Sequence, residues 1–216
     1  ISVDHVCLVF PLDLGVDGVK IIQPNDSIPQ KKDTIADLKR AVVDVRLFPL
    51  FAKRVEIDRL DIYDLKMNTA NLVHEARVKG TLALLSLESH GIDLGKETLR
   101  LDMAMIDGAR LDVALSDTVP PDTTESKNFW KINLDKLDVR KSDVTVHMPG
   151  DTLQVKAVLA DVKAKQGFFD LYKGQYDLAS IDWKKGEIKY DNNFQPRLKG
   201  LDANHIALSD IHLGID

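Results

Sequence analysis

Much of what marks a specialised protein is scarce in this sequence. There is one cysteine, Cys7, so no intrachain disulfide can form, which argues against a small disulfide-stapled secreted domain and leaves the periplasm open. Only 6% of the residues are Phe, Trp or Tyr, although surfaces that recognise proteins or sugars lean on aromatic anchors. No apolar run approaches the roughly 20 residues that cross a bilayer as a helix. No block of basic residues occurs either. With 29 Lys and Arg against 34 Asp and Glu, the net charge is −5, and nucleic acid is not an expected partner. The first residue is Ile1 and not Met, which reads as a fragment from which an N-terminal anchor or signal could have been trimmed.

Chemistry-bearing motifs are equally thin. No glycine-rich phosphate loop, nucleophile elbow or His-Glu helical motif is present. His5, His74, His90, His147, His205 and His212 are dispersed, without the close spacing that a metal site on one element needs. Asp58, Asp61 and Asp64, or Asp135, Asp138 and Asp143, resemble a calcium cluster or an acid/base pair. They fit turns and wet strand faces better, where Asp tolerates turn geometry and guards edges. Ser209, Asp210 and His212 are the residue types of a triad but lie too close in one strand to converge. Cys7 sits in the strand-like run Val6-Cys7-Leu8-Val9 and reads as inert core. No enzyme, metal or cofactor is expected.

What is present is period-2 alternation. At 44% hydrophobic and 29% charged, the 216 residues suit a packed β domain. Val, Ile and Leu alternate with Asp, Lys and Arg over Val16 to Ile22, Val43 to Leu47, Val55 to Met67, Leu99 to Leu115, Ile132 to Met148, Leu153 to Leu159 and Ile206 to Ile215. An antiparallel meander is expected. The odd positions Leu99 to Met105 and Ala109 to Leu115 flank Asp107-Gly108, and a three-residue Ile106-Asp107-Gly108 loop would pair Met103 with Leu111 and Leu101 with Val113. Lys185-Gly186, between Ile181-Asp182-Trp183 and Ile188-Lys189-Tyr190, reads as a second hairpin. Short helices are expected at Phe48 to Phe51 and Gln166 to Lys173. Residues 1–216 read as one domain, with a loop or linker over Asp117 to Asn128 around Pro120-Pro121.

A weak repeat is visible. Val55 to Ile62 aligns with Ile132 to Val139 as apolar-x-apolar-Asp-basic-Leu-Asp-apolar. Apolar parity flips between Ile57 and Leu60 and again between Leu134 and Leu137, so a bulge or tight turn belongs at each Asp-basic pair. The aliphatic face itself suits either a closed sandwich core or a groove for flexible acyl chains. Both reward buried CH₂ groups, and most alternating strands make sandwiches.

The segments Asp33-Thr34-Ile35, Ala41 to Leu47, Pro49-Leu50-Phe51 and Val55 to Met67 resemble the N-terminal AsmA-like region of AsmA and TamB proteins, especially TamB-like proteins of the Bacteroidetes type. There a strand ends in a Pro-Leu-Leu-like turn before apolar-x-Ile-x-x-Leu-x-Ile strands. Phe51 departs from the usual aliphatic residue. Phe129 to Leu134, with Leu137 and Val139, is similar to the family's second recurring unit, in which a Trp opens a strand. The likeness covers residues 13 to about 215 as a pattern of apolar positions.

The resemblance implies a mainly β fold: an elongated, twisted antiparallel sheet curled into a β-taco-like groove, with at most short helices. It also implies a non-catalytic periplasmic protein, tethered to the inner membrane by a segment absent here. Such a protein would serve outer-membrane lipid homeostasis or outer-membrane protein assembly, with phospholipid or another acyl-chain lipid and an outer-membrane barrel as partners. The lining residues would be Val43, Val45, Leu47, Ile57, Ile62, Leu101, Met103, Leu111, Val113, Leu134, Val139, Val144 and Val146. The alternative is an adhesin-like or carbohydrate-binding β-sandwich using Trp130 and Trp183.

Overall fold

A computed structural model of the chain describes residues 1–9, 13–24, 32–46, 57–69, 76–93, 97–115, 129–151, 153–173, 175–192 and 205–214. Alternating β-branched and charged residues form strands almost throughout, as one apolar and one wet face requires. The strands are β1 (His5–Val9), β2 (Asp13–Pro24), β3 (Lys32–Val45), β4 (Ile57–Asn68), β5 (Ala76–Asp93), β6 (Thr98–Asp107), β7 (Arg110–Leu115), β8 (Lys131–His147), β9 (Leu153–Asp170), β10 (Gln175–Asn192) and β11 (His205–Gly214). Among the described residues the only helix is the 3₁₀ turn Pro149–Asp151. The expected helix at Gln166 to Lys173 is instead the end of β9 and the turn after it. The other expected helix, Phe48 to Phe51, lies outside the described residues, as do Leu47 and the linker Asp117 to Asn128.

All strands join one mainly β, curled sheet, in the order β1-β2-β3-β4-β5-β6-β8-β9-β10-β11, with β7 also between β5 and β8. Both expected hairpins are absent. Met103 pairs with Glu88 and not with Leu111, because β6 and β7 are collinear and both run antiparallel to β5. Gln175–Asn192 is one strand, so Lys185-Gly186 lies inside it. The meander is also broken once, since β6 and β7 pair with β8 in parallel. Alternation demands one apolar face and is silent on strand direction, so this step has no local signature.

The turn-like residues do something else. Ladder pairing lapses at Gly18 opposite Lys39, Lys39 opposite Asp64, and Asp64 opposite Ala83. It lapses again at Gly108 and Lys141, at Lys141 and Ala160, and at Lys185 in β10. These positions form one line across the sheet. Gly18, Asp64, Gly108, Lys141 and Lys185 all have positive φ, between 46° and 67°. A second line crosses at Asp58, Asp102, Asp135, Gln166 and Ala179, six residues away from the first in every strand that carries both. Gln166 has φ 53°. The sheet is thus creased twice, and the strip between creases is about 20 Å wide at the usual rise per residue.

A left-handed residue inside a strand resets the pleat, so side chains three apart share a face. Gly186 demonstrates this: a Cβ there would overlap the indole of Trp183. The parity flips expected at Asp58-Arg59 and Asp135-Lys136 coincide with the second crease, and both copies of the repeat keep the same offset to both lines.

Candidate functional site

Two rows of directly paired residues fill the strip between the creases. The first runs Val6, Val16, Ala41, Ile62, Leu85, Ile106, Val139, Val162, Trp183 and Ile211. The second runs Leu8, Leu14, Val43, Leu60, Leu87, Ala104, Leu137, Ala164, Ile181 and Leu213. Paired neighbours point the same way, and residues two apart in a strand share a face, so these rows form one apolar surface as far as Trp183 and Ile181, and β11 continues them by backbone register. Ten strand positions at about 4.8 Å spacing make it about 43 Å long. No polar side chain interrupts it except the Trp183 indole N–H, which is buried and has no acceptor among the described residues.

Beyond the first crease the surface continues through Ile21, Ala36, Met67, Gly80, Leu111, Val144, Ala157 and Ile188, then through Val78, Val113, Val146, Val155 and Tyr190. Beyond the second it continues through Leu101, Leu134, Gly167 and Leu178, then Leu99, Ile132, Phe169 and Tyr176. Each flank is apolar on the parity opposite to that of the strip, as the pleat resets require.

The expected lining residues distribute accordingly. Val43, Ile62 and Val139 lie in the strip. Leu101 and Leu134 lie past the second crease, Leu111, Val113, Val144 and Val146 past the first, and Val45 pairs with Ile57 at the second crease itself. Met103 is a correction: it stands in the row of Arg59 and Glu88, on the charged face. Leu60, Leu85, Leu87, Ala104, Ile106 and Leu137 were missed. Both parities are apolar over Met103-Ala104-Met105-Ile106, which hides the flip at Asp102.

Burial shows what covers this surface. Of the eighteen side chains described in the two central rows, only Ala104, Val139 and Ala164 are buried, and Leu8 is 79% exposed. No second sheet and no longer helix lies over them among the described residues.

The opposite face is ionic. Arg59 reaches Asp13 and Asp61 at 3.3 Å each, and Asp61 accepts the Ser86 hydroxyl at 2.5 Å. In the second copy of the repeat, Asp138 takes the place of Asp61 and binds Arg140; that hydrogen bond, and then the charge attraction, raise the guanidinium pKa. Asp58 holds Arg46 at 2.7 Å, Asp64 holds Lys39 at 3.5 Å and Asp143 faces Arg110 at 3.9 Å, so these carboxylates neutralise cations one by one. His90 Nδ1 lies 2.6 Å from Asp102 and His147 Nε2 lies 3.0 Å from Asp112, both exposed pairs. A polar concavity of about 350 Å³ at the second crease is lined by Thr98, Arg100, Leu101, Asp102, Asn133 and Asp135. Among the described residues no three His, Cys, Asp or Glu side chains converge as metal ligands. Cys7 is half-buried beside Gly15, at the sheet edge and not in a core.

No protein-family model matches the chain, and no curated protein is similar to it.

Proposed function

We propose that this chain is a non-catalytic lipid-holding segment, whose creased apolar face is a trough on which acyl chains lie while head groups remain in water. The observation that carries the reading is the pair of apolar rows, aliphatic except for Trp183, that cross ten strand positions with no covering layer among the described residues. A monomer seldom leaves so long an apolar surface uncovered without a partner for it. Alkyl chains fit the lining, because each CH₂ removed from water contributes about 0.8 kcal/mol wherever it lies along a row. Binding with so little positional preference lets a chain slide. The AsmA/TamB resemblance supplies the setting: a periplasmic segment held to the inner membrane through another part of the protein, serving outer-membrane lipid homeostasis or barrel-protein assembly.

The test is native mass spectrometry of the purified 216-residue chain. Phospholipid adducts are expected, and Leu60→Glu with Leu137→Glu should cut adduct intensity by roughly tenfold, because a carboxylate must lose its water beneath an alkyl chain. A spectrum free of lipid from phospholipid-loaded preparations sinks the reading.

A further inference from the structure

Aromatic residues are few, yet they are not scattered. Of the seven Phe, two Trp and four Tyr in the sequence, Phe129, Trp130, Phe169, Tyr172 and Tyr176 lie at one corner, where β8 begins and the β9–β10 turn closes. The Phe129 and Tyr172 rings lie 4.8 Å apart, tilted by 34°, and the Phe169 and Tyr176 rings 6.3 Å apart. The Leu171 N–H donates to the Trp130 carbonyl at 3.1 Å, tying the turn to the start of β8. Rings held this way normally seal a core. Here Phe129 is 42% exposed, Tyr172 61% and Tyr176 65%.

The surroundings indicate what covers them. Phe169 and Tyr176 end the apolar row that begins at Leu99, and Phe129 and Tyr172 stand two residues beyond the Lys131–Asp170 pair, so the corner is the strand-end edge of the sheet at which the apolar face stops. Among the described residues around it, Lys131 and Lys173, with Arg100 in the row of Asp177, balance Glu97, Asp170 and Asp177, and Lys131 lies 3.8 Å from Asp170. An electrically neutral rim of amphipathic rings, with lysines long enough to keep their ammonium groups in water, matches the head-group zone of a zwitterionic bilayer.

We propose that the Phe129–Tyr172–Tyr176 corner is a membrane-docking tip, seated at the head-group level of a zwitterionic phospholipid bilayer. The tip holds the rim of the apolar face against the lipid surface. The inference goes beyond the lipid-holding reading and does not need the trough to be loaded.

Trp183→Phe leaves Trp130, at the corner, as the sole tryptophan. In that chain, phosphatidylcholine vesicles with brominated acyl chains are expected to quench Trp130 emission and to co-sediment the protein, with binding little changed by salt. Phe129→Ser, Tyr172→Ser and Tyr176→Ser together should weaken vesicle binding at least about tenfold, since interfacial binding scales with buried apolar area. These rings are exposed, so the urea midpoint should move little. No sedimentation with phosphatidylcholine, unaltered binding by the triple variant, or binding abolished by salt would each overturn the proposal. Trough loading is read separately by native mass spectrometry. A chain that binds vesicles but carries no lipid keeps the tip and loses the trough, and the reverse result does the opposite.

Discussion

Trp183 occupies its place because Gly186 has no side chain: the indole lies where a Cβ would be. Gly186→Ala should therefore force the ring out of its position and cost about 1–3 kcal/mol, the range for inserting a methyl into filled space. Gly186 is not among the positive-φ residues, so the cost is steric, and a shift in Trp183 emission should accompany it. Trp183→Phe removes the unpaired buried N–H and should leave stability within about 1 kcal/mol of the parent, since the lost ring area and the relieved donor oppose each other. On the ionic face Asp61 is the most constrained carboxylate of the first repeat, buried between Arg59 and Ser86. Asp61→Ala should cost about 1–3 kcal/mol by leaving the Ser86 hydroxyl without its acceptor. With Ser86→Ala added, the two losses should fall short of their sum by 0.5 kcal/mol or more, a coupling that a denaturation cycle measures.

At the scale of strands, residues that ordinarily reverse a chain here bend it. Asp107-Gly108 and Lys185-Gly186 both read as hairpin turns, and Gly108 and Lys185 do adopt positive φ, but inside continuing strands. What the sequence withheld is whether the strand after such a residue turns back or runs on, because the same local conformation serves both. The flips at Asp58 and Asp135 were legible for a different reason: apolar residues change parity there with no polar gap long enough for a loop. In β6 the flip was hidden, and Met103 was misplaced. Conformational strain at the crease gives a direct test. Gly108→Val should cost about 2 kcal/mol or more, combining left-handed strain for a β-branched residue with contact against Ala83 Cβ, which already lies 3.0 Å from a Cβ position at 108. Gln166→Gly, at the second crease, should cost nothing or stabilise by up to about 1 kcal/mol, because glycine relieves the left-handed penalty and loses more chain entropy on folding. Equal losses from the two substitutions in urea titrations would mean that the creases are not maintained in solution.

For the molecule as a whole, the decisive property is that the described residues form one layer, which has to be stable without a second among them. Most domains bury a sheet face against another layer, and the usual penalty for cutting leucine to alanine in such a core is about 2–5 kcal/mol. Here the ladder between ten strand positions, the ion pairs of the charged face and a few central residues such as Leu134, which is 7% exposed, carry the sheet. Leu60, Leu87 and Leu137 in the strip are only half-buried, so they have surrendered part of their hydration already. Each of Leu60→Ala, Leu87→Ala and Leu137→Ala should therefore cost no more than about 1.5 kcal/mol in lipid-free protein, whereas Leu134→Ala should cost about 2–4 kcal/mol. Lipid reverses the order of importance. A ligand that binds only the folded chain raises its stability with concentration, and this gain passes through the strip residues. Adding phospholipid should thus raise the unfolding midpoint of the parent and of Leu134→Ala, and raise that of the strip variants less. Should the strip substitutions cost as much as Leu134→Ala without lipid, some covering layer must already bury the strip, and the face would be a core and not a trough.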